Sequence, residues 1–127
     1  MTDRGGMEGG DESAILIPLY EARRERLDVP ISFDRRELSQ IFRLYGRMVA
    51  ANEWRDYAID HLRDRAVFSV YRRAHDAPLF QIVKDPRLTR KQGMFSVITA
   101  TGAVMKRGQE LTRVLGFFDK RLKLVGA

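Results

Sequence analysis

The sequence predicts an α+β fold, an antiparallel sheet of four to five strands with an N-terminal and a C-terminal amphipathic helix packed on one face. Three observations lead there. A capping motif followed by helix-period apolar residues occupies positions 33–49, short β-branched and aromatic runs separated by turns fill 55–107, and a second helix-period stripe closes the chain at 111–122.

The first helix is announced by Phe33-Asp34-Arg35-Arg36-Glu37-Leu38. Asp34 is placed to cap the helix, and Glu37, three residues on, to reach back to the cap. Phe33 and Leu38 have the spacing of a hydrophobic staple, and Leu38, Ile41, Phe42, Tyr45 and Val49 form the stripe expected to face the core. Asn52 is the expected stop.

Strands are predicted over 55–62, 66–72, 79–84 and 95–101, with a fifth over 103–107 if Gly102 is a turn and none if Gly102 is a bulge in one long strand. Arg63-Asp64-Arg65 has hairpin length, as does Ala74-His75-Asp76-Ala77-Pro78, and Pro86 and Gly93 bracket a basic loop. Leu111, Val114, Leu115, Phe118 and Leu122 then give one amphipathic helix whose last turns carry Lys120, Arg121 and Lys123, where cations suit the helix dipole. Short consecutive connections imply antiparallel pairing, and one apolar stripe per helix implies that both helices cover the same sheet face.

Ahead of this domain, residues 1–13 hold four of the ten glycines and four acids without periodicity, and are expected to be a disordered leader. Residues 14–30 are an extended or linker segment, with Pro18 suiting a sheet edge, and residues 31–127 are the single α+β domain. Charge divides at the same boundary: residues 1–30 carry a net −3 and residues 31–127 a net +9. A basic domain gathers anions, so nucleic acid, an acidic protein and anionic lipid are candidate partners, and the acidic leader is placed to screen it.

With no cysteine in 127 residues, disulfides, thiolate metal sites and a cysteine nucleophile are excluded. The longest apolar runs fall well short of the ~20 residues of a membrane span, and the acidic N-terminus lacks the order of a signal peptide, so a cytoplasmic location is expected. His61 and His75 are the only histidines. Asp60 and Asp64 lie near His61, but neighbours along a strand point to opposite faces. No nucleophile elbow, phosphate-binding glycine loop or metal motif is present. No cofactor and no enzymatic activity are expected.

Two surfaces remain as candidates. Trp54, Arg55 and Tyr57 combine the residue types that anchor protein interfaces, although Trp54 has the alternative role of closing one end of the core. Arg72, Arg73, Arg87, Arg90, Lys91, Lys106 and Arg107 fall at strand ends or in the long loop, where they could meet phosphates if the sheet gathers them.

Leu44-Tyr45-Gly46-Arg47-Met48-Val49-Ala50, Glu53-Trp54-Arg55-Asp56-Tyr57-Ala58-Ile59, Lys84-Asp85-Pro86, Arg90-Lys91-Gln92-Gly93 and Lys106-Arg107-Gly108 complete the reading. Through these segments the chain resembles a bacterial, chiefly alphaproteobacterial, small-domain family of unknown function. The resemblance implies a bacterial cytoplasmic setting and a domain start near residue 31, and brings no catalytic residue with it. The function expected is a non-catalytic protein-interaction or regulatory module with a protein partner; the alternative is sequence-tolerant nucleic-acid binding. Oligomeric state is not encoded in these patterns.

Overall fold

Helix α1, Arg35–Ala50, begins as the capping motif dictates. The Asp34 carboxylate accepts the Glu37 N–H at 2.8 Å, and the Glu37 carboxylate accepts the Asp34 N–H at 2.8 Å. The helix ends where Asn52 takes the left-handed conformation, φ 62°, which asparagine adopts more readily than most residues. In this computed structural model residues 29–73, 77–88 and 92–124 are described. The leader, most of the 14–30 segment, His75, Arg90 and Lys91 lie outside them.

Five strands follow: β1 (Asp56–His61), β2 (Ala66–Tyr71), β3 (Phe80–Lys84), β4 (Phe95–Thr99) and β5 (Val104–Gly108). They lie in chain order, each antiparallel to the next. Gly102 is a turn: at φ 90° its N–H donates to the Thr99 carbonyl at 2.9 Å. The register does slip, but farther on, since Val97 opposes Lys106 while Ile98 opposes Val104, leaving Met105 as the extra residue of a bulge.

The C-terminal stripe departs from expectation. It forms two helices, α2 (Leu111–Leu115) and α3 (Phe117–Leu124), divided at Gly116. The Gly116 N–H is shared between the Thr112 and Arg113 carbonyls, and Asp119 N–H bonds the Gly116 carbonyl, so the turn tightens there. The break lets Phe118 turn edge-on to both Trp54 (5.1 Å) and Phe80 (5.2 Å).

The α1 stripe is also rotated from expectation. Ile41, Leu44 and Met48 are the buried positions, whereas Phe42 and Val49 are 38% and 42% exposed. Leu38 and Tyr45 are half-buried against the core. Arginines flank Leu44 and Met48, which hides their phase from a count of apolar residues; the position of the helix on the sheet decides which flank goes inward.

One continuous core joins Ile31, Phe33, Ile41, Leu44, Met48 and Trp54 to Ala66, Phe68, Val70, Phe80, Ile82, Phe95 and Val97, and these to Leu111, Val114, Leu115 and Phe118. The strand members alternate, so all three helices cover one face. On the opposite face Val67, Ser69, Val83 and Ser96 are also buried, yet Val67 and Val83 take no part in that core.

Candidate functional site, an arginine-lined groove between helices

The three sides of α1 do different things. Its inner side supplies the core. A second side carries Arg36, Gln40, Arg43 and Arg47 at spacings of four, three and four, which stacks them along one helix face. With Arg35 they form one wall of a groove of 780 Å³ whose other wall includes Thr112, Leu115, Gly116 and Asp119. Arg47 and Asp119 also line a 630 Å³ depression with Lys123, which prolongs the groove toward the end of α3.

Few polar contacts cross it. The Thr112 hydroxyl donates to the Gln40 side-chain oxygen at 2.8 Å, and Arg47 meets Asp119 at 3.3 Å with both side chains about half exposed. Arg35, Arg36 and Arg43 make no ion pair among the described residues. Arg35 and Arg36 stand in the first helical turn, where the dipole disfavours cations by about 0.3–1 kcal/mol each. Helix stability gives no reason for them there.

The third side of α1 bears the exposed Phe42 and Val49. Phe42 stands edge-on to Tyr57 (5.3 Å) and Phe68 (5.5 Å), while Tyr57 stacks on Phe68 with 4° between the rings. Tyr45 adds a further edge contact to Tyr57 at 5.1 Å. Burial pushes the Tyr45 phenol above its usual pKa, and Asp56 and Tyr57 push the same way. Tyr57 is 41% exposed, so it can reach a partner. Trp54 cannot: at 2% exposure it closes the core against Phe118, which is the alternative role the sequence left open.

Of the seven cations singled out in the sequence, the five that are described, Arg72, Arg73, Arg87, Lys106 and Arg107, are not gathered into one patch. Arg72 and Arg73 line a 240 Å³ cavity with Asn52 and Arg55, next to the paired ends Asp56 and Tyr71. Arg87 sits past the opposite end of β3 and Arg107 lies within β5 one residue from that same end, about 20 Å away across a six-residue strand. Lys106 is exposed on the edge strand. Arg87 is already engaged: its guanidinium donates to both Asp85 oxygens, at 3.0 and 2.9 Å, and meets Asp64 at 3.3 Å. Those hydrogen bonds hold the Asp85 carboxyl below the usual carboxylate range, against a burial that pushes it up. Arg107 donates to the Gln92 side-chain oxygen. Arg90 and Lys91 lie outside the described residues.

His61 is exposed on the β1 edge, on the sheet face opposite that of its neighbour Asp60. Among the described residues no three metal-ligating side chains converge, and no helix is long and apolar enough to cross a membrane. The arginine groove was missed in the sequence because its second wall comes from α2 and α3. The stripe Arg36, Arg43, Arg47 and the two arginines opposing the helix dipole were the available signals.

A family model described as a protein of unknown function, DUF2794, matches residues 31–115, from the segment preceding α1 through the sheet to the end of α2. No curated protein and no solved structure matches the chain.

Proposed function

The chain belongs to the DUF2794 family of proteins of unknown function, and on that premise we propose that it is a non-catalytic binding module that holds an acidic segment of a partner protein in the α1 groove. The observation that carries this is the row of Arg36, Arg43 and Arg47 along one wall, with Asp119 the acid facing them. From Arg36 to Arg47 the helix rises about 16 Å, the length of about five residues of extended chain. Guanidinium groups at that spacing suit carboxylates on successive turns or alternate residues of a bound peptide. The second wall narrows access, which favours a single chain over a duplex. The bacterial cytoplasmic setting belongs to the same proposal.

The test is a fluorescence-anisotropy titration of the full chain with labelled hexaglutamate and, in parallel, a labelled single-stranded DNA 20-mer. The double variant Arg36→Glu/Arg43→Glu is expected to weaken hexaglutamate binding at least about 10-fold, since each charge-assisted contact contributes about 1.5–3 kcal/mol. Arg113→Glu serves as control, because that side chain is exposed and paired with Glu110. Equal loss in the control sinks the proposal. So does tighter binding of the DNA with a steep salt dependence, which would give the groove to nucleic acid.

A further inference from the structure

Where the chain turns from α1 into β1, three arginines meet. Arg55 precedes β1 and Arg72 follows β2, and because Asp56 opposes Tyr71 as the last pair of the ladder, the two arginines stand across from each other one step beyond it. Arg73 comes next, and with Asn52 the three line the cavity of 240 Å³. The backbone beneath them is fixed. The Arg55 N–H donates to the Tyr71 carbonyl and the Asn52 N–H to the Val49 carbonyl, both at 2.9 Å, and Trp54 between them is buried in the core.

No carboxylate lines this cavity. Arg55, Arg72 and Arg73 make no ion pair among the described residues, whereas Arg47, Arg87 and Arg113 each meet an aspartate or glutamate. Acids are close in the chain, since Glu53 and Asp56 flank Arg55, but the Asp56 carboxylate accepts the Tyr57 N–H at 2.9 Å instead. Like charges facing each other across paired strands are destabilising, and a surface that serves solubility alone intersperses its charges. The nearby C-terminus of α1 contributes about half an elementary negative charge through the helix dipole, far less than three guanidiniums supply.

We propose that this cavity binds a phosphate dianion, free or as the terminal group of a small phosphomonoester. Such a group carries about 1.5–2 negative charges and three acceptor oxygens. Three guanidiniums face the same cavity, each a planar fork that matches two phosphate oxygens, and the Asn52 amide adds further donors. A carboxylate has one charge and two oxygens, which leaves forks and charge unmatched. At 240 Å³ the cavity is smaller than the about 300–1,000 Å³ that enclose a drug-sized ligand, so it holds the phosphoryl group and leaves the rest of a monoester outside. The site shares no residue with the α1 groove and stands or falls apart from the acidic-segment reading.

The test titrates the full chain with sodium phosphate, phenyl phosphate and benzoate at constant ionic strength, following the amide resonances of Asn52, Arg55, Arg72 and Arg73 by heteronuclear NMR. Phenyl phosphate is expected to saturate these shifts with a Kd below about 1 mM and to bind at least about 10-fold more tightly than benzoate. Phosphate as tight as phenyl phosphate assigns the site to the free ion; a tighter phenyl phosphate assigns it to a monoester. Arg72→Gln is expected to weaken phenyl phosphate at least about 10-fold, with Arg72→Lys between the two because an ammonium keeps the charge without the fork. The groove variant Arg36→Glu/Arg43→Glu is expected to stay within about 3-fold of the unaltered chain, since screening weakens charges beyond about 8 Å at physiological salt. Should Arg72→Gln unfold, the titration of the unaltered chain decides alone. Absence of saturable shifts in the four amides up to about 10 mM overturns the proposal. So does benzoate binding as tightly as phenyl phosphate, or an unchanged affinity in Arg72→Gln that keeps the near-ultraviolet dichroism of Trp54. Shifts produced by a single-stranded DNA oligonucleotide and by none of the small anions overturn it in favour of a nucleic-acid backbone.

Discussion

Replacing Gly93 by alanine tests how the loop after β3 is locked to the far edge of the sheet. Gly93 has φ +94°, and a Cβ there would lie 2.5 Å from the Gly108 carbonyl carbon, 2.6 Å from its Cα and 2.7 Å from its oxygen. Gly102 has nearly the same backbone, φ +90°, but open space where its Cβ would go. Alanine at either position bears the left-handed backbone strain, about 1–3 kcal/mol. Only alanine at 93 must also displace a neighbouring backbone, that of Gly108, which is held in the β4–β5 ladder opposite Phe95. That crowding adds about 1–3 kcal/mol on the scale of overpacked cores. Urea unfolding followed by Trp54 fluorescence should therefore place Gly93→Ala below Gly102→Ala by at least about 1 kcal/mol at an unchanged m-value. Equal midpoints for the two variants would refute the close approach of Gly93 and Gly108.

Two further outcomes follow from the packing and the charges. Trp54→Ala removes a buried ring held by Phe118 and Tyr45 and should cost about 3–5 kcal/mol in urea unfolding followed by far-ultraviolet dichroism; a loss under 1 kcal/mol would mean that Trp54 does not close the core. Asp85, whose carboxyl Arg87 holds below its ordinary pKa, gives stability that is complete above the unfolded value near pH 3.9 and is lost as pH falls through the lower folded value. Wild type should exceed Asp85→Asn equally at pH 7 and pH 5, with the gap narrowing only below about pH 4; a gap already closed at pH 5 would contradict the assigned shift.

Much of the fold was legible because its signals are local. Asp34 and Glu37 announce the helix start through a motif that needs only four residues, and the strands show themselves between short turns. The phase of α1 was not legible. Phe42 and Val49 are as apolar as Leu44 and Met48, and only the seating of the helix on the sheet separates buried from exposed. Gly116 likewise lies inside an unbroken helical period, and its break follows from where Phe118 must point. The groove has the same origin, since a row of arginines on a helix reads as a solvated face until a second helix makes it a wall.

The two outer strands carry opposite charge. Asp56 and Asp60 lie on β1, Lys106 and Arg107 on β5, and both strands present one side without a ladder partner among the described residues. Such edges are complementary head to tail, the arrangement that lets sheets join from molecule to molecule without closing into a ring. The bulge at Met105 works against it. By putting an extra residue into β5 it breaks the even spacing of donors and acceptors that an incoming β1 would need, so that charge alone can draw two molecules together but no continuous ladder can follow.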